Sequence, residues 1–179
     1  PEGPVSPGRD GGIWMPPPAP PMLPLPPVLP LEWAVAYGED DFGLWQAFEV
    51  SGVRQVMRWI PPGEFLMGSP ETEAERRDNE TLHRVRLTRG FWLADTACTQ
   101  ELWEAVMGGN PSGFQGEPER PVERGSWNDI RTEFLVKLNA LVPGLEVGLP
   151  TEAQWEYACR AGRQTPFWFG DQITTDQVN

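Results

Sequence analysis

Leu149-Pro150-Thr151-Glu152-Ala153-Gln154-Trp155-Glu156-Tyr157-Ala158-Cys159-Arg160-Ala161-Gly162 is a helix with both ends written into it. Thr151 can accept from the backbone of the first turn while Gln154, three residues on, reaches back, as in a capping box. Glu152 places negative charge where the helix dipole favours it. Gly162 is suited to a left-handed terminating turn. Trp155, Ala158 and Cys159 recur at i, i+3 and i+4, which predicts that they share one buried face.

Working outward, Val56-Met57-Arg58-Trp59-Ile60 reads as a strand. Pro61-Pro62-Gly63 breaks it and Glu64-Phe65-Leu66-Met67 resumes, the pattern of a hairpin. Residues 69–81 carry seven charged side chains and read as an exposed loop. Alternation through Leu82 to Thr88 predicts another strand. Thr99 caps a helix that reaches Met107, stopped by Gly108-Gly109-Asn110-Pro111. Ser126-Trp127-Asn128-Asp129 caps a longer helix with Ile130, Phe134, Leu138 and Leu141 as its apolar stripe, ended by Pro143-Gly144. Upstream, Gly38-Glu39-Asp40-Asp41 reads as a solvated turn.

Six of these pieces, in this order, resemble the formylglycine-generating enzyme family, whose domain is also called the sulfatase-modifying-factor domain. They are Pro61 to Ser69, His83 to Thr88 with Phe91-Trp92-Leu93, Pro121-Val122, Ser126 to Asp129, the signature helix itself, and Phe167-Trp168-Phe169-Gly170-Asp171. The resemblance covers residues 54–179 and implies an α+β, C-type lectin-like fold. Such a fold is loop-rich, with short antiparallel strands and about three helices. The chain is expected to hold the N-terminal part of that domain only. Residues 1–30 then form a proline-rich arm and 31–53 an N-terminal extension packing on the domain.

Twelve of the 21 prolines lie in the first 30 residues, so the arm favours polyproline II and disfavours helix and sheet. It reads as a semi-rigid spacer, a strap over the domain's own aromatics, or a ligand for a partner's aromatic groove. The chain begins without Met and shows no signal-peptide pattern, which points to a processed or trimmed N-terminus. A net charge of −12 argues against general nucleic-acid binding, which needs a cationic face. No apolar run is long enough to span a bilayer. The compartment, bacterial cytoplasm or cell surface, is left open.

Family membership alone does not assign activity. The resemblance implies three possibilities: copper-dependent oxidases that convert a sulfatase cysteine to formylglycine, iron-dependent sulfoxide synthases, and binding proteins that include the variable proteins of diversity-generating retroelements. Copper(I) needs soft thiolate ligands, and Cys98 and Cys159 match neither member of the family's catalytic pair. Cys159 is expected on a buried helix face, where a free thiol is inert; in secretory members its counterpart belongs to a disulfide. The iron enzymes use a histidine-rich motif, whereas His83 is the only histidine here, expected in a structural hydrogen bond. Glu152 and Glu156, four residues apart, look like paired carboxylates but are better explained by capping and buried hydrogen bonding. No catalytic residue is identifiable.

Family members often hold a structural Ca²⁺ after the Gly-Asp stretch, using an asparagine that Asn179 resembles. Calcium takes about six to eight oxygens, so Asn179 and its neighbour's carbonyl supply part of a shell. Gly125 and Gly148 replace larger residues of the family pattern and are expected to weaken local packing. The sequence reading is a non-enzymatic ligand-binding or scaffold protein such as a retroelement variable protein, with a protein or small-molecule ligand. Its alternative is a copper-dependent formylglycine-generating oxidase with its cysteines on another piece. In either case a C-terminal complement of the same domain, a second chain or a proteolytic fragment, is expected to complete the fold.

Overall fold

Two reversals of chain direction build the main sheet of the computed structural model, which describes residues 28–167, 170 and 172–174. Strand β1 (Ala36–Asp40) turns through Asp41 and Phe42 into β2 (Gly43–Val50), with Asp40 pairing Gly43 and Ala36 pairing Ala47. The Asp40 carboxylate accepts the Phe42 N–H at 2.9 Å, an Asx turn. Strand β2 then reverses through Ser51-Gly52, both at positive φ, 52° and 86°. Two consecutive left-handed residues make the tight hairpin whose twist suits antiparallel strands. Strand β3 (Val53–Ile60) follows, with Val53 opposite Val50. The Gly38–Asp41 stretch is therefore mostly strand, a correction to its reading as a turn.

The expected hairpin through Pro61-Pro62-Gly63 does not form. Strand β4 (Gly63–Met67) pairs instead with β5 (His83–Leu87) in a separate two-stranded sheet, Phe65 opposite Val85. The free edge of β3 is taken by β6 (Phe91–Ala94), giving the order β1-β2-β3-β6. Prolines have no N–H to give a ladder, so Pro61 and Pro62 carry the chain out of one sheet and into the next.

Helix α1 (Gln100–Met107) is capped by Thr99, whose hydroxyl accepts the Leu102 N–H, and ends on left-handed Gly108. The second helical stretch starts with the expected capping box: Ser126 accepts the Asp129 N–H and Asp129 accepts the Ser126 N–H. It runs as α2 (Trp127–Asp129), a π-helical segment (Ile130–Phe134) and α3 (Leu135–Leu141). The wider π-turn shifts the facing register. Phe134 and Leu138 are buried as predicted, but Leu141 is exposed and Val142 enters the core instead.

The core lies between the main sheet and these helices. Phe48, Val50 and Met57 come from β2 and β3, Leu102, Trp103 and Val106 from α1, and Phe134, Leu138, Val142 and Leu145 from the second helical stretch and its exit. Trp103 and Phe134 stack at 4.8 Å with their planes 5° apart. Fully burying such side chains stabilises the fold by roughly 1.5–3 kcal/mol each. Gly125 sits against this stack: a Cβ there would stand 3.2 Å from the Trp103 ring. Its smallness permits the packing it was expected to weaken, whereas Gly148 faces open space.

Helix α4 (Glu152–Arg160) is the signature helix and packs on β4. Its capping box is present, with the Thr151 hydroxyl accepting the Gln154 N–H at 3.2 Å and the Gln154 carboxamide accepting the Thr151 N–H at 2.9 Å. The left-handed terminus comprises Ala161 and Gly162 together, φ 46° and 80°. The buried face is not the predicted one. Trp155 and Cys159 are exposed, Ala158 is half-buried as predicted, and Gln154 is half-buried beside it; the set that follows one stripe is Ala153, Glu156, Tyr157 and Arg160, all half-buried. That set follows the same helical period, displaced around the axis.

Candidate ligand cleft and the signature-helix seam

Between the main sheet and the α1–α3 layer the core opens into a cleft of about 540 Å³. Trp33 and Trp92 line it, edge-on to one another at 6.2 Å and 90°, and Trp92 is backed by Trp59, tilted against it at 5.4 Å. The loop Leu145–Pro150 forms the far wall. Asn139 holds that loop, donating to the Val147 carbonyl at 3.0 Å and accepting its N–H at 2.9 Å. The polar groups at the lining are few: Gln55, Cys98, Glu146 and Gln154. A largely apolar cavity with a handful of polar groups has the size and character of an organic ligand site.

Cys98 enters this cleft from the residue before the α1 cap. Burial pushes its thiol up to about 11, and Sγ donates to the Thr99 carbonyl at 3.6 Å. A thiol so placed stays protonated at neutral pH, and the thiolate is both the nucleophile and the metal ligand. Cys98 is free and half-buried. Cys159 is the correction: it is free and exposed on the outer side of α4. The two thiols thus sit in unlike places and do not fit a copper(I) pair.

The second feature is the seam between α4 and β4. The Glu156 carboxylate accepts the Gly68 N–H at 2.9 Å and meets Arg160 Nε at 2.8 Å, while Arg160 Nη2 donates to the Gly68 carbonyl at 2.7 Å. One backbone unit is gripped at both its polar groups by one ion pair. Gly68, at φ +89°, is a position that favours glycine, and a Cβ there would press on the Thr81 carbonyl at 2.6 Å. Beside the grip, Tyr157 packs on Phe65 at 5.3 Å, and burial raises its phenol. Its hydroxyl fills the space next to Gly63 so closely that a side chain there would collide with it. Glu156 therefore has the buried hydrogen-bonding role expected of it, and Glu152 stays exposed in the first helical turn.

His83 lies exposed on β5, its Nδ1 2.7 Å from the Thr81 carbonyl, in the structural hydrogen bond expected. Among the described residues no group of three or more His, Cys, Asp or Glu is placed to share an ion. Asn179, the candidate Ca²⁺ ligand, lies outside the described residues, as do Trp168, Phe169 and Asp171 of the aromatic-Gly-Asp stretch and the arm before Val28. The cleft itself was not foreseen. Its available signal was the tryptophans at 33, 92 and 103, too far apart in sequence to show a period.

A family model described as the sulfatase-modifying factor enzyme 1-like domain matches residues 42–179. The chain is 30% identical over 122 residues to a chaperone protein, LppX, of Paenibacillus barcinonensis, covering 49% of this chain and 42% of the relative. It is 29% identical over 169 residues to the formylglycine-generating enzyme of Streptomyces coelicolor, covering 64% of this chain and 50% of the relative. The chain thus spans about half the length of the curated relatives it matches. Among solved structures it resembles Treponema denticola variable protein 1, with a TM-score of 0.60 and 24% identity over 74% of this chain and 61% of that one. It also resembles PvdO from Pseudomonas aeruginosa, TM-score 0.57 and 21% identity, over 75% and 54% of the two chains. These two likenesses establish the C-type lectin-like fold.

Proposed function

The chain belongs to the sulfatase-modifying factor enzyme 1-like family, and from that premise we propose that it is the scaffold half of a non-enzymatic ligand-binding protein, in the manner of a retroelement variable protein. The observation that carries this reading is the largely apolar cleft of about 540 Å³ between the main sheet and the α1–α3 layer, with few polar groups in its lining. The two cysteines present, half-buried Cys98 and exposed Cys159, do not form the thiolate pair that copper(I) oxidation of a thiol calls for. The apolar cleft and the paucity of polar groups in it favour binding over bond-making. The relative named as a chaperone supports a role without catalysis.

The remaining expectations attach to the same proposal. A C-terminal complement completes the domain and carries or shapes the ligand surface. Structural Ca²⁺ would take Asn179 as one oxygen ligand among several. The charge of −12 disfavours nucleic acid as the ligand, and among the described residues no helix is long and apolar enough to cross a membrane.

The competing reading, a copper-dependent formylglycine-generating oxidase, is favoured by the 29% identity to the Streptomyces enzyme. The full natural product, loaded with copper(I) and given oxygen and a cysteine-containing sulfatase peptide, separates the two. Scaffold function predicts that mass spectrometry finds the peptide cysteine unchanged. Conversion to formylglycine overturns it.

A further inference from the structure

Gln55 brings an unpaired hydrogen-bond acceptor to the cleft. It stands opposite Phe48 in the β2–β3 register, on the face that meets the helices, and it is 5% exposed. Its Nε2 donates to the Val56 carbonyl at 3.0 Å and to the Thr96 hydroxyl at 3.3 Å. A carbonyl can only accept, so the nitrogen of this carboxamide is fixed on that side and the oxygen on the other. Among the described residues nothing donates to that oxygen. Nor is it sealed in the core, since Gln46 Nε2 is the one enclosed side-chain N or O atom without a partner among the described residues. Gln55 lines the cleft, so its free oxygen opens there. Buried acceptors in folded proteins find a donor.

We propose that the cleft takes a neutral aromatic molecule bearing one N–H or O–H group, which donates to Gln55 Oε1; this deepens the ligand-binding reading above and rests on it. The aromatic character follows from the lining. Trp33 already meets Phe48 at 6.5 Å and 80° and Trp92 at 6.2 Å and 90°. Edge-to-face contact is the arrangement aromatic rings favour with one another, and a further ring extends the cluster. A volume of about 540 Å³ admits one or two fused rings. Charge narrows the class. No Lys, Arg or His lines the cleft, so an anion would lose its water without gaining a counterion. The only carboxylate of the lining, Glu146, is exposed, so a cation would find its partner in solvent and not inside. The remaining polar groups do not compete with Gln55. Cys98 turns its weak S–H on the Thr99 carbonyl, and Gln154 is tied through its oxygen to the Thr151 cap.

Indole and benzofuran test the assignment, being alike in shape but with the N–H of one replaced by a ring oxygen in the other. Their affinities for the full natural product are measured by calorimetric titration. Indole is expected to bind about fivefold more tightly, the worth of one net hydrogen bond. Gln55→Met keeps the length of the side chain, removes its oxygen, and is expected to bring the two probes to equal affinity. The carboxamide NH2 resonances of Gln55 in the unsubstituted protein give a second reading that does not depend on the variant folding. A bond to the oxygen is expected to move them downfield with indole and not with benzofuran. Equal binding of the two probes, or an indole preference that survives Gln55→Met, overturns the proposal and leaves the cleft a ligand site. Failure of both probes to bind overturns the cleft as well. Oxidation of a sulfatase peptide by a product that binds indole through Gln55 sinks the non-enzymatic reading and leaves this site standing.

Discussion

The main sheet with α1 and α3 is held together by burial; the β4–β5 sheet with α4 is held together by polar contacts. In the first region ten apolar side chains form one buried cluster, and Trp103 stacks on Phe134 within it. In the second no residue of α4 is fully buried, and the helix is kept in place by the Glu156–Arg160 grip on Gly68 and by Tyr157 on Phe65. Apolar burial needs no partner chain once both layers are present. A grip of two or three hydrogen bonds, each worth about 1 kcal/mol net, positions a helix without enclosing it. The difference separates a buried core, which resists local opening, from a helix held by a few polar contacts and one ring contact.

The strongest way to test the contrast is to damage each side. Phe134→Ala removes a buried ring and its stacking partner's contact, and is expected to lower global stability by about 3–5 kcal/mol, read from denaturant midpoints. Gly63→Ala drives a methyl into the Tyr157 hydroxyl. It is expected to cost about 1–3 kcal/mol, with amide exchange accelerating in α4 and leaving β2 and β3 unchanged. Glu156→Gln keeps an acceptor for Gly68 but breaks the pair with Arg160. An effect of roughly 1–2 kcal/mol, again confined to α4 and the 68–81 loop, is expected by the same measurement. If either seam variant lowered protection across the main sheet equally, the two regions would be one cooperative unit.

A smaller effect lies in the loop before the second helical stretch. The Glu123 carboxylate accepts the Phe114 N–H at 3.0 Å and the Gly113 N–H. The Phe114 bond is the main cause of its lowered pKa, aided by Gly113 and the adjacent Arg124. A carboxyl with a lowered folded pKa stabilises above its ordinary value, 4.5, and loses that contribution as pH falls through the folded value. Acid titration followed by amide NMR is therefore expected to shift Gly113 and Phe114 below pH 4.5, with Glu123→Gln abolishing the transition. The Asp129 cap, lowered chiefly by its Ser126 hydrogen bond, behaves in the same sense.

Local chemistry in the sequence was legible where it is self-contained. Thr99, the Ser126–Asp129 box and the Thr151–Gln154 box each satisfy backbone donors within three residues, so no distant contact is needed to read them. Strand partners were harder. The β3–β4 hairpin looked natural in sequence, but pairing is decided by which edge is free, and β6 takes the edge of β3. The β1–β2 hairpin was hidden because Gly38, Asp40 and Asp41 look like turn residues, whereas only Asp41 and Phe42 lie at the turn.

The α4 face was misjudged for a more instructive reason. Two apolar stripes compete on that helix, and the sequence pattern does not say which is covered first. Trp155 and Cys159 obey helical spacing as well as Ala153 and Tyr157 do. The polar residues decided it: Glu156 and Arg160 lie beside Tyr157, and their partner, Gly68, is distant in sequence. The π-turn at Ile130–Phe134 moved Val142 inward and Leu141 outward for a comparable reason, since one extra residue per turn resets the stripe.

Native-state hydrogen exchange on residues 1–179 addresses the central claim most directly. The amides of β2, β3 and α1 should open only with global unfolding, while those of α4 and β4–β5 exchange through a lower-energy local opening, at least tenfold faster. Protection of α4 equal to that of β3 would contradict the account, because the signature helix would then already be enclosed.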